Sequence, residues 1–180
     1  SVEEVVKRIL ETIKDLMRRI KKNSEDVLET IKRLADEIRE SVKRSNERIR
    51  ELIKDIRETR KGDKVERIVR RLEELLRRNT RLVEKIERDL DRLLKENEDL
   101  LREIIKTLEK MLRDVRRIAE EGVGTDELEK LLREVEEIVK DVSRKSDTSL
   151  KKAEERVRDV KRKDEKTLRD AEEVVRREKK

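Results

Sequence analysis

The sequence predicts an all-α fold: an elongated, single-chain, antiparallel (up-down-up) three-helix bundle with nearly straight helices. Three observations predict it. Apolar residues recur in alternating steps of four and three along nearly all 180 residues. Breakers are confined to two places, because the chain has no proline and its three glycines are Gly62, Gly122 and Gly124. The apolar pattern also repeats every 18 residues, as in Val2, Ile20, Ile38 and Ile56. An 18-residue repeat matches the 3.6 residues per turn of an unstrained helix, whereas a heptad repeat forces a left-handed supercoil.

The first helix is expected over about 2–61. Ser1 with Glu4 three residues later reads as a capping box, in which hydroxyl and carboxylate each meet an orphan backbone amide. The stripe then runs through Ile9, Ile13, Leu16, Ile20, Ser24, Val27, Ile31, Leu34, Ile38, Val42, Ser45, Ile49, Leu52 and Ile56. Flanking Leu10, Met17, Leu28, Ala35 and Ile53 widen it beyond a two-stranded seam.

Gly62 suits the left-handed position after a helix end, and Asp63 followed by Glu66 offers the next N-cap. A turn at 61–64 is too short for anything but an antiparallel hairpin. The second helix, 64–121, keeps the 18-residue phase through Leu72, Leu90 and Leu108 and through Asn79, Asn97 and Val115. Gly122 and Gly124 place a second turn at 121–125, where Val123 can add an apolar contact and Thr125 can cap the third helix. That helix, 125–179, opens strongly with Leu128, Leu131, Leu132 and Val135 and then weakens. Ser146 and Asp164 occupy the core phase 18 and 36 residues after Leu128. Arg176, Arg177, Lys179 and Lys180 favour the negative end of the helix dipole. Residues 1–180 are thus read as a single three-helix bundle domain, with helices of about 85–90 Å at 1.5 Å per residue.

Composition agrees. Charged residues make up 56% and apolar residues 32%, a balance that suggests disorder until the periodicity is counted. The net charge of +6 arises from 53 basic and 47 acidic residues, finely mixed, which reads as a solvated face laced with i,i+4 pairs. Without aromatics there is no stacking platform for bases, so no nucleic-acid partner is expected. No apolar run reaches the roughly 18 residues of a membrane span, and no secretory or transit peptide is visible.

Folding the helices back at the two turns brings polar residues together at two levels. Ser45 and Asn46 should meet Asn79, near Ser41, Asp164 and Thr167. Asn23 and Ser24 should meet Asn97, near Ser146 and Ser149. Clustering is expected physically, because a buried polar group without a partner costs about 1–3 kcal/mol. A satisfied cluster penalises shifted registers and wrong oligomers. Two other readings remain open here: that some of these residues face water at the stripe's edge, and that they hold a ligand or ion.

Missing residue types exclude most chemistry. With no His or Cys there is no His- or Cys-based triad, no zinc or haem site and no disulfide. Ser143 with Lys140 or Lys145 forms a conceivable dyad, but nothing supplies a cleft or oxyanion hole. No EF-hand spacing occurs, and Gly122-Val123-Gly124 lacks the third glycine and preceding strand of a phosphate loop. Catalytic, cofactor-binding and metal residues are therefore all expected to be none.

The Glu/Lys/Arg surface, Leu/Ile/Val stripe, capping boxes, Lys61-Gly62-Asp63-Lys64 and Gly122-Val123-Gly124-Thr125 turns and integer repeat resemble de novo designed, parametrically generated helical bundles. The layers at Asn23–Ser24 with Asn97, and at Ser45–Asn46 with Asn79, are similar to the buried hydrogen-bond networks of that class. The polar stretch Val160–Leu168 departs from it, being unusually charged for a core helix. The resemblance implies high stability, no natural function and use as a scaffold. It also admits a switch component with a displaceable third helix or self-association through helix faces. A natural spectrin-like or lipid-binding bundle is disfavoured by the absence of aromatics. A soluble monomer is expected, cytoplasmic on recombinant expression, with a homo-oligomer as the alternative. A first residue of Ser1 and not Met is what a trimmed expression tag would leave.

Overall fold

The computed structural model describes residues 2–122 and 124–178, with the side chain of Glu178 excluded. Three helices account for nearly all of it: α1 Val2–Thr59, α2 Asp63–Glu121 and α3 Thr125–Glu178. They pack against one another as an all-α three-helix bundle. The capping box proposed at Ser1 and the apolar contact proposed for Val123 lie outside the described residues, as do Lys179 and Lys180.

The chain divides into two compact units, Ser1–Thr30 with Leu93–Lys151 and Ile31–Arg92 with Lys152–Lys180. Each takes a piece of all three helices, and each has its own apolar core. In the first unit Ile9, Ile13 and Ile20 of α1 meet Ile104, Leu108 and Val115 of α2 and Leu128, Val135 and Val142 of α3. In the second, Ile49, Leu52, Ile53 and Ile56 of α1 and Val65, Ile68, Val69, Leu72 and Leu75 of α2 supply the bulk. To that cluster α3 adds Ala171 and Val175, with Leu168 and Val174 at its edge, and elsewhere in the unit it buries Ala153, Val157 and Val160.

Burial follows the 18-residue repeat. Leu72, Leu90 and Leu108 are at most 1% exposed, and Ile20, Ile38 and Ile56 are all buried. Val2, which begins that series in the sequence, is instead 42% exposed, because the first turn has too little around it to cover a side chain. In the second unit cross-helix pairs give the directions. Arg39–Glu87 and Arg57–Glu73 run α1 antiparallel to α2, while Glu37–Lys161 and Arg48–Glu172 run α1 parallel to α3.

At the first turn α1 ends at Thr59, and Asp63 is the first residue of α2 rather than the residue before it. The Gly62 carbonyl accepts the Val65 amide at 3.1 Å, so the backbone closes this helix start. Asp63 and Glu66 then act as negative charges in the first turn. Gly62 (φ 115°) and Gly122 (φ 72°) both have the positive φ that disfavours a Cβ. Gly124 lies in open space, and Thr125 is the first residue of α3, half-buried.

Candidate functional site: two buried polar layers

Eight polar side chains are buried among the described residues: Ser24, Ser45, Asn46, Asn79, Asn97, Ser146, Asp164 and Thr167. Seven of them, with half-buried Ser41, form two sets of hydrogen bonds, one inside each unit.

In the first unit one residue from each helix takes part. Asn97 of α2 donates through Nδ2 to Ser24 Oγ of α1 at 3.2 Å, and Ser146 Oγ of α3 donates to Asn97 Oδ1 at 3.2 Å. The amide thus uses one donor and its acceptor, and both neighbouring helices are read. A cavity of about 10 Å³ adjoins this set, lined by Asn23, Ser24, Asn97, Ser143 and Ser146 among others. It approaches the smallest volume that holds one water. Asn23 and Ser149 are half-buried and make no side-chain hydrogen bond of their own among the described residues, so the set is smaller than the sequence suggested. Ser143, dismissed from the sequence as half of a dyad, instead lines this cavity. Its position one turn before Ser146 was the available signal.

The second unit holds a denser set around Asp164, which is 2% exposed. Ser41 Oγ and Ser45 Oγ donate to its Oδ2 at 3.2 and 3.0 Å. Asn79 Nδ2 donates to its Oδ1 at 3.0 Å and to Asn46 Oδ1 at 3.2 Å. Burial pushes the Asp164 carboxyl above its ordinary value, and the three donors pull it partly back. Among the described residues no lysine or arginine pairs with it. Asn79 is 0% exposed, and its Oδ1 is buried with no donor. Thr167 is buried but stands apart: its hydroxyl donates to the Lys163 carbonyl of its own helix at 2.8 Å. A threonine satisfied one turn back has no hydroxyl proton left for a neighbouring helix.

Chemically these layers can orient and discriminate, but they present no reacting group to solvent. Among the described residues no cluster of three or more acidic side chains is arranged to hold a metal ion. Among the described residues no helix is long and apolar enough to cross a membrane. No family model, curated protein or solved structure matches the chain.

Proposed function

We propose that this chain is a structural scaffold of designed origin, with no natural biochemical function and no enzymatic activity. Its buried polar layers specify which helix faces pair and in which register. It needs no cofactor or partner and exists as a soluble monomer. One observation carries the reading: buried polar side chains from all three helices gather into two hydrogen-bonded sets. Such sets add little net stability, but a shifted register leaves their members unpaired at about 1–3 kcal/mol each.

The test replaces the layers with apolar residues. In the variant Asn79→Leu, Asn97→Leu, Asp164→Leu, light scattering should show species heavier than the 21.7 kDa of one chain. Amide spectra should broaden or multiply. A monomer with one sharp set of resonances would sink the specification role.

A second reading, a switch module with a displaceable α3, is favoured by one feature. In the second unit the residues that α3 buries are small or polar, namely Ala153, Val157, Val160, Asp164, Thr167, Ala171 and Val175, whereas α1 and α2 bring mostly isoleucine and leucine. Hydrogen exchange separates the two. A displaceable helix exchanges the amides of 152–178 well before those of 31–92, whereas a scaffold exchanges them together.

A further inference from the structure

A groove of about 390 Å³ runs between α2 and α3 in the second unit. Arg78, Arg81 and Lys85 line it from α2, and Lys163, Lys166 and Asp170 from α3. Five cations therefore face one carboxylate. Two other surface grooves of this unit carry nearly equal numbers of cations and carboxylates, with ion pairs inside them. One sets Arg50, Lys54 and Arg57 against Glu58 and Glu73, with Arg57 paired to Glu73. The other sets Arg48, Arg169 and Arg176 against Asp170, Glu172 and Glu173, with Arg48 and Arg176 both paired. In the basic groove only Lys163 has an anion, Asp159 at 3.0 Å. Arg78, Arg81, Lys85 and Lys166 make no ion pair or side-chain hydrogen bond among the described residues.

Register follows from the Asn79–Asp164 hydrogen bond, since α2 and α3 run antiparallel through it. Counting outward from it, Lys166, Arg78, Lys163, Arg81 and Lys85 succeed one another over about 12 Å of helix. Asp170 closes the end beyond Lys166. Leu82 and Thr167 line the groove between them. Such a run suits a ligand that concentrates several negative charges in a short length. Guanidinium forks and ammonium groups both bind phosphate oxygens well. A longer nucleic acid would meet Asp170 and would find no aromatic side chain for its bases, because the chain has none.

We infer that this α2–α3 groove is a binding site for a compact, multiply charged phosphate anion of the inorganic oligophosphate class. The site is independent of the scaffold reading, because it uses surface cations and none of the buried layer residues.

Calorimetric titration of the intact chain with sodium triphosphate tests it, at neutral pH and moderate salt. One site per chain is expected, with Leu82 methyl resonances shifting on binding. Arg81→Glu with Lys166→Glu should weaken affinity by about tenfold or more. Lys21→Glu with Lys22→Glu makes the same charge change at exposed positions of the first unit and should leave affinity within about twofold. All four positions are exposed, and circular dichroism confirms that each variant is folded. Equal weakening by both pairs would overturn the site in favour of general charge attraction. No binding to the unaltered chain would also overturn it. Tighter binding of a short single-stranded DNA, lost in the groove variant, would overturn the ligand class.

Discussion

Asn79 and Asp164 join α2 to α3 in the buried centre of the second unit, with Asn79 Nδ2 donating to Asp164 Oδ1 at 3.0 Å. The same amide nitrogen holds Asn46, and the amide oxygen has no donor. The asparagine is therefore already under-satisfied, while the aspartate depends on it.

That dependence sets the sign of Asn79→Leu. A leucine on an apolar stripe would ordinarily be neutral or stabilising. Here it removes a donor from a buried carboxylate and from Asn46 Oδ1. The expected loss is about 1–3 kcal/mol, read from the midpoint of urea denaturation at neutral pH. Adding Asp164→Leu should recover much of it, since replacing both partners leaves fewer orphans. A double variant weaker than the sum of the singles would contradict the coupling.

Asn97→Leu should behave differently, although Asn97 lies 18 residues from Asn79 in the same phase. Its partners are the hydroxyls of Ser24 and Ser146. A serine in a helix can turn its hydroxyl to the carbonyl four residues back. The expected cost is below about 1 kcal/mol in the same denaturation experiment, at the low end for a lost buried hydrogen bond.

Stability should respond to pH through Asp164. Its folded pKa is raised from an ordinary 3.8, first by burial, so below the folded pKa the native state holds a proton that the unfolded chain has begun to lose. Stability from this group is greatest at or below the unfolded value and is lost as pH rises through the folded one. The wild-type chain should therefore gain stability relative to Asp164→Asn as pH is lowered across that window. Glu173 is shifted the other way by its hydrogen bond from Arg176, but it is present in both proteins and cancels in the difference. Paired denaturation midpoints across the acidic range give the answer, and a flat difference would mean that Asp164 does not titrate differently on folding.

Turn chemistry offers a cleaner test of backbone strain. A Cβ at Gly62 or Gly122 would meet nothing within 4 Å, so any loss on substitution comes from φ and not from a clash. At Gly62, with φ 115°, valine should cost about 1–3 kcal/mol. At Gly122, with φ 72°, asparagine should cost less, because it tolerates the left-handed region. Comparable melting of Gly62→Val and the unaltered chain would remove the strain argument.

Several features are legible in the sequence alone. The step pattern of four and three located the helices, glycines located the turns, and the 18-residue phase picked out Leu72, Leu90 and Leu108 as core. Polar residues in that phase were legible for the same reason: Ser24, Asn79, Asn97, Ser146 and Asp164 are all buried. Periodicity reports direction from a helix axis, and direction decides burial when three helices pack.

Partner choice was legible only in part: the fold-back brought Asn79 to Asn46 and Asp164, and Asn97 to Ser24 and Ser146, but it left open which of the flanking hydroxyls bond. Thr167 sits in the core phase but spends its proton on Lys163, while half-buried Ser41 reaches Asp164. Those outcomes turn on side-chain rotamers and on distances across helices, which a one-dimensional pattern does not contain. The basic groove is not legible in the sequence for a related reason. Its cations come from α2 and α3, remote in sequence and each unremarkable in a chain with 53 basic residues.

By itself the sequence determined three helices, two turns, and which faces of the helices exclude water, because these follow from backbone propensity and a repeating apolar stripe. Only the tertiary structure decided that Asn79 and Asn97, equivalent in the repeat, are unequal in the fold. Asn97 meets two hydroxyls that can turn elsewhere, whereas Asn79 meets a buried carboxylate whose hydrogen-bonding depends on it. The physical reason is that burial is set along one helix, whereas satisfaction of a buried polar group is set by what the neighbouring helices bring to it.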